Sequence, residues 1–77
     1  MGEVALHYDR RIIELVNLHS SSQISVINPS DLKKGDTFRL RDRHDYLVTD
    51  DIGHAIFKCL SVDADIKRII AEPVEGL

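Results

Sequence analysis

The sequence predicts an α+β fold, an N-terminal amphipathic helix followed by a small five-stranded antiparallel meander, and three observations carry that reading. The chain has 77 residues of which 43% are hydrophobic, enough apolar surface for one core and too little for two. Residues 4–19 contain neither Gly nor Pro and repeat their apolar side chains at helical spacing. Beyond Ser20-Ser21-Ser22-Gln23 the apolar period drops to two, with turn-forming clusters about every 8–12 residues. A single domain over 1–77 follows, with the helix at 4–19, the meander at 24–71 and a loose tail at 72–77.

At about 100° per residue, Val4, Ala5, Leu6, Tyr8, Ile12, Ile13, Leu15 and Val16 share one arc, while His7, Arg10, Arg11, Glu14 and Asn17 fall opposite. The arc covers about 200°, twice the roughly 100° that docks a helix on one core. The surplus predicts a partner or self-association through the helix face, with Tyr8, Ile12 and Leu15 as its contact residues. Ser20-Ser21-Ser22-Gln23, poor in helix propensity, ends the helix as a linker.

Ile24-Ser25-Val26 opens the extended region, and Pro29 ends that first strand because it cannot donate to a ladder. The segment 29–34 makes one helical turn closed by Gly35 in a left-handed conformation. Thr37-Phe38-Arg39-Leu40-Arg41 alternates strictly, Asp42-Arg43-His44-Asp45 is a turn cluster, and Tyr46-Leu47-Val48-Thr49 is rich in strand formers, so the three form a hairpin. After a turn at 50–53, the stretch 54–62 is apolar on both faces and reads as the central strand. Asp63-Ala64-Asp65 turns the chain, residues 66–71 form the last strand, and Pro73 stops it.

At this point the chain resembles the small SH3-like barrels of phage and bacterial genomes, in which Leu-x-x-Gly-Asp-x-Phe opens a strand. The matching residues are Leu32-Lys33-Lys34-Gly35-Asp36-Thr37-Phe38, followed by Tyr46-Leu47-Val48 and Lys58-Cys59-Leu60. The resemblance covers 24–71 and implies an SH3-like fold and a binding role. It implies no shared active site, and it leaves the helix unexplained.

Lys and Arg number 10 against 13 Asp and Glu, and the net charge of -3 argues against holding nucleic acid or anionic membrane by bulk electrostatics. A basic surface has to be local, and Arg39, Arg41 and Arg43 form one, projecting in a row from one strand face. If Arg41 pairs with Tyr46, an aromatic ring joins the row and the combination suits phosphates and a stacked base. A register shifted by one instead puts Phe38, Leu40, Tyr46 and Val48 on a common face, and the spacing admits both. The plainer reading makes the arginines a solvated strand face neutralised by Asp42, Asp45, Asp50 and Asp51.

His44 between Asp42 and Asp45, and His54 after Asp50 and Asp51, match no metal-ligand spacing, so no metal or other cofactor is expected. Cys59 has His54 only on the opposite face of its own strand and reads as a core residue rather than a nucleophile; alone, it also forms no internal disulfide. No phosphate loop, nucleophile elbow or zinc-protease motif occurs. No stretch approaches the roughly 20 apolar residues of a membrane helix, and Met1 to Tyr8 lacks a basic leader, so a cytoplasmic protein without membrane contact is expected. The expectation is a non-enzymatic protein-interaction module, such as a phage-type or accessory factor. The alternative is a barrel contacting RNA or DNA through Arg39, Arg41, Arg43 and Tyr46.

Overall fold

The structure, a computed structural model, describes residues 2–16 and 24–74. Among them there is no α-helix: six strands, β1 (Val4–His7), β2 (Ile12–Val16), β3 (Ile24–Ile27), β4 (Thr37–Arg41), β5 (Phe57–Asp63) and β6 (Arg68–Pro73), form one antiparallel sheet in the order β1-β6-β5-β4-β2-β3. The α+β expectation is therefore corrected to a nearly all-β fold with six strands and two open edges. The expected strands missed both β1 and β2. The end of the expected helix at 17–19 and the linker at 20–23 lie outside the described residues.

Residues 4–16 fail as a helix for a local reason and a topological one. Val4, Ile12, Ile13 and Val16 are β-branched, stiff at χ1 and at home on a pleated surface. Arg10 sits at φ 60, the left-handed region, and its neighbour Arg11 donates its N–H to the Tyr8 carbonyl at 3.1 Å, so the chain reverses between Asp9 and Arg11. The two strands then separate in the sheet: Leu6 pairs with Ile69 of β6, while Ile13 pairs with Leu40 of β4 and Ile27 of β3. In a flat sheet four strand spacings, about 19 Å, would part β1 from β2. The tight reversal over 8–11 cannot span that distance, so the sheet curls.

The curl encloses the core. Leu6, Ile13, Phe38 and Leu40, Phe57 and Cys59, and Ile69 and Ala71 are buried inward residues from every strand except β3, joined by Tyr8 just after β1 and by Leu32 from the loop before β4. Phe38 and Phe57 are register partners whose rings lie 6.1 Å apart in a tilted arrangement, within the favourable range for aromatic pairs. A bulge in β5 sets both Leu60 and Ser61 against Ile70, so Cys59 and Val62 both face inward across an odd interval. That bulge accounts for the mixed-face apolar pattern of 54–62.

The strand expected at 24–26 is β3, extended to Ile27, and that at 37–41 is β4. A short 3-10 turn occupies Pro29–Asp31, with Gly35 at φ 94 beyond it. The expected strand at 46–49 shrinks to one bridge, Arg41 with Leu47, and a bond from the Val48 N–H to the Leu40 carbonyl at 2.8 Å. β4 thus shares one edge between β5, at Thr37 and Phe38, and this returning segment. Ile66 lies in the turn before β6 rather than in the strand. The loose tail is also corrected: Glu72 and Pro73 pair with Lys58 and Phe57, and the Val74 N–H donates to the Ile56 carbonyl at 2.9 Å. Residues 75–77 lie outside the described residues.

Candidate functional site

The surface that gathers most of the singled-out residues is the outer face of β3, β2 and β4. Register places Ile24 beside Val16, Val26 beside Glu14, Glu14 beside Arg39, and Ile12 beside Arg41. Directly opposed residues share a face, and Ile13, Leu15, Phe38 and Leu40 take the inner one, so Ile12, Glu14, Val16, Ile24, Val26, Arg39 and Arg41 share the outer one.

Glu14 organises the centre of this face. Arg39 Nε donates to Glu14 Oε1 at 2.7 Å and Arg41 Nε donates to the same oxygen at 3.3 Å. The Glu14 side chain keeps only 13% of its exposure, so the pair is better shielded from solvent than an ordinary surface bridge. Arg41 also donates from its guanidinium to the Asp45 carbonyl at 2.9 Å and lies 3.5 Å from the Asp45 carboxylate. Arg43 does not join the row; it stands exposed in the turn after β4. Of the three expected phosphate contacts, two are already engaged by carboxylates.

Around this ion pair the face is apolar. Val26 is 68% exposed and Ile12 45%, with Ile24 also exposed. β3 pairs only with β2, so among the described residues its other edge carries unpartnered backbone N–H and C=O groups.

The expected partner face of Tyr8, Ile12 and Leu15 is not one face. Tyr8 is buried in the core, Leu15 packs against it, and Ile12 points outward on the other side of the sheet. Tyr46 is exposed beyond the Leu47 bridge. Its register is the second of the two that the sequence admits: Leu40 lies opposite Val48, and the Asp42 N–H donates to the Tyr46 carbonyl at 2.9 Å.

The histidine and aspartate turns are built by backbone capping. Asp42 Oδ1 accepts the N–H groups of His44 and Tyr46 at 2.8 and 3.0 Å, and the Tyr46 bond is the main cause that holds its carboxyl below the ordinary range. Asp50 Oδ1 accepts three N–H groups, from Ile52, Gly53 and His54, at 3.0, 2.8 and 2.8 Å, and Oδ2 meets His54 Nδ1 at 2.9 Å. Desolvation pushes the Asp50 carboxyl up, but the His54, Ile52 and Gly53 bonds outweigh it and hold it at about 2. Among the described residues no three His, Cys, Asp or Glu side chains converge as metal ligands.

Cys59 is fully buried and free, and burial, with Asp36 nearby, pushes its thiol up, away from the thiolate form a nucleophile needs. An open groove of about 420 Å³ is lined by Tyr8, Pro29, Ser30, Leu32, Val62 and Ala64, an apolar wall without a carboxylate or imidazole for proton transfer. No helix among the described residues is long and apolar enough to cross a membrane.

Sequence reasoning missed Glu14, Ile24 and Val26. Once Glu14 sat on the polar side of a supposed helix, its link to the arginines was out of reach. The clustered β-branched residues of 12–16 and 24–27 were the available signal. No protein-family model matches the chain, and no curated protein or solved structure shows significant similarity to it.

Proposed function

We propose that this chain is a small non-enzymatic, cytoplasmic protein-interaction module that binds through the outer face and free edge of β3. One observation carries the proposal: an uncharged edge strand, Ile24-Ser25-Val26-Ile27, exposes Ile24 and Val26 beside outward Ile12. Exposed apolar side chains clustered at an open sheet edge form the kind of surface that proteins add strands to. The Glu14 bridges support this over nucleic-acid binding, because Arg39 and Arg41 would have to give up a half-buried carboxylate to reach a phosphate. A buried Cys59 and the apolar wall of the groove between Tyr8, Leu32 and Val62 support a binding role.

The test is affinity capture from the native cell, comparing the parent with Val26→Lys and with the triple variant Arg39→Ala, Arg41→Ala, Arg43→Ala. The expected result is a protein partner that Val26→Lys loses. Short RNA and DNA should show no binding at micromolar protein in near-physiological salt. A nucleic-acid complex that weakens steeply with salt and vanishes in the triple variant would overturn the proposal.

A further inference from the structure

We propose that the partner at this edge is a second copy of the chain, with the two β3 strands paired antiparallel about a two-fold axis so that their sheets join. This rests on the reading of β3 as the interaction surface and names its occupant.

The two open edges of the sheet differ in what they offer a second copy. β1 turns only Ala5 and His7 outward, one small side chain and one polar. Two copies of that edge would bring no large apolar side chains together. β3 carries no charge, and the one carboxylate beside it on the outer face, Glu14, is already matched by Arg39 and Arg41. Natural edge strands are commonly guarded by Lys, Pro or a bulge, and Ile24 to Ile27 contains none of the three. An edge free of those guards and of unmatched charge lets an identical copy of this acidic chain approach without repulsion.

The pleat then selects the register. Ile24 and Val26 face outward, while Ser25 and Ile27 share the inner face with Leu15 and Ile13. Pairing Ile24 with Ile27 of the copy would place an outward residue against an inward one. Centring the axis on Ser25 keeps both faces continuous and sets Ile24 against Val26 of the copy, twice by symmetry. Centring on Val26 gives only one outward apolar pair. The Ser25-centred arrangement buries more apolar surface, and a two-fold contact of this kind closes on itself instead of propagating into a fibre. So short a strand puts the contact at the small, transient end of interfaces.

Sedimentation velocity of the full chain over roughly 1 µM to 1 mM tests this, using the parent, Val26→Lys, Ile24→Glu and an equimolar mixture of the two variants. Both side chains are exposed, and matching circular dichroism confirms that each variant folds. The parent should pass from monomer to dimer across that range, and each variant alone should be weakened at least tenfold. The mixture should recover dimer to within a few-fold of the parent, because the new Lys and Glu then face each other at one of the two outward pairs. A parent that stays monomeric, or a dimer indifferent to both substitutions, overturns the proposal, and loss without recovery on mixing overturns the Ser25-centred register. A monomeric parent that captures a different protein, sensitively to Val26→Lys, rejects self-pairing while supporting the interaction-module reading. A monomer whose capture ignores Val26→Lys rejects both.

Discussion

β1 and β3 are the two edges of one sheet, and they are finished in different ways. β1 places Leu6 in the core, is followed at once by buried Tyr8, and is tied at its end by the Tyr8 N–H to the Lys67 carbonyl at 3.0 Å. β3 contributes no fully buried side chain, and its outward Val26 remains more exposed than Ile12 on the neighbouring strand. An edge built for stability buries its inward residues and keeps its outward ones, Ala5 and His7, small or polar. An edge kept for contact leaves apolar side chains outside, where folding gains little from them.

The largest effect that would break this comparison comes from truncating each edge. Leu6→Ala should cost about 2–5 kcal/mol, a large share of the roughly 4–11 kcal/mol expected for a domain of this length. Val26→Ala should change stability by less than about 0.5 kcal/mol. Urea denaturation measures both, and similar costs at the two positions would mean that β3 is packed like β1. Next in size is Glu14→Ala, which leaves the Arg39 and Arg41 guanidinium groups without their shared acceptor and should cost about 1–3 kcal/mol. A loss near that of an ordinary exposed pair, about 0–1 kcal/mol, would demote the ion pair to surface decoration.

A smaller effect sharpens the reading of the N-terminal residues. Arg10→Gly should leave stability unchanged or raise it by up to about 1 kcal/mol, since Gly occupies the left-handed region without a Cβ clash. In a helix over 4–16 the same substitution would cost about 1 kcal/mol, so the sign decides. Smallest near neutral pH is the effect of Asp50 on the slope of stability with pH, its carboxyl being held at about 2 against an ordinary 3.8. A depressed carboxyl stabilises the fold fully above the ordinary value and loses that contribution as pH falls through about 2. Asp50→Asn should therefore flatten the acid limb of a stability–pH curve below about pH 4 while leaving its slope near neutrality unchanged.

What was legible in the sequence follows the same physics. Thr37 to Arg41 reads as a strand because its inward residues are apolar and its outward ones polar, so period two is undiluted. Residues 4–16 hide theirs, because Ala5, Ile12 and Val16 are apolar on the outer side. Val4, Tyr8, Ile12 and Leu15 then fall by accident at helical spacing across a turn. That turn has no Gly or Pro to announce it, since Arg10 adopts the left-handed conformation itself. Asp45 and Lys67 do likewise at φ 71 and 52, but Asp45 sits in an aspartate-rich cluster that reads as a turn anyway. The arginine row was visible on its strand, whereas its partner Glu14 became visible only once β2 was known to lie beside β4.

Residues 4–16 form two strands on different neighbours, and cross-strand nuclear Overhauser contacts measure that directly. The expected result is contact between Leu6 and Ile69 and between Ile13 and Leu40, with extended chemical shifts on both sides of a reversal at Arg10. Helical shifts running unbroken from Val4 to Val16, with sequential contacts three residues apart and no contact to Ile69 or Leu40, would contradict it.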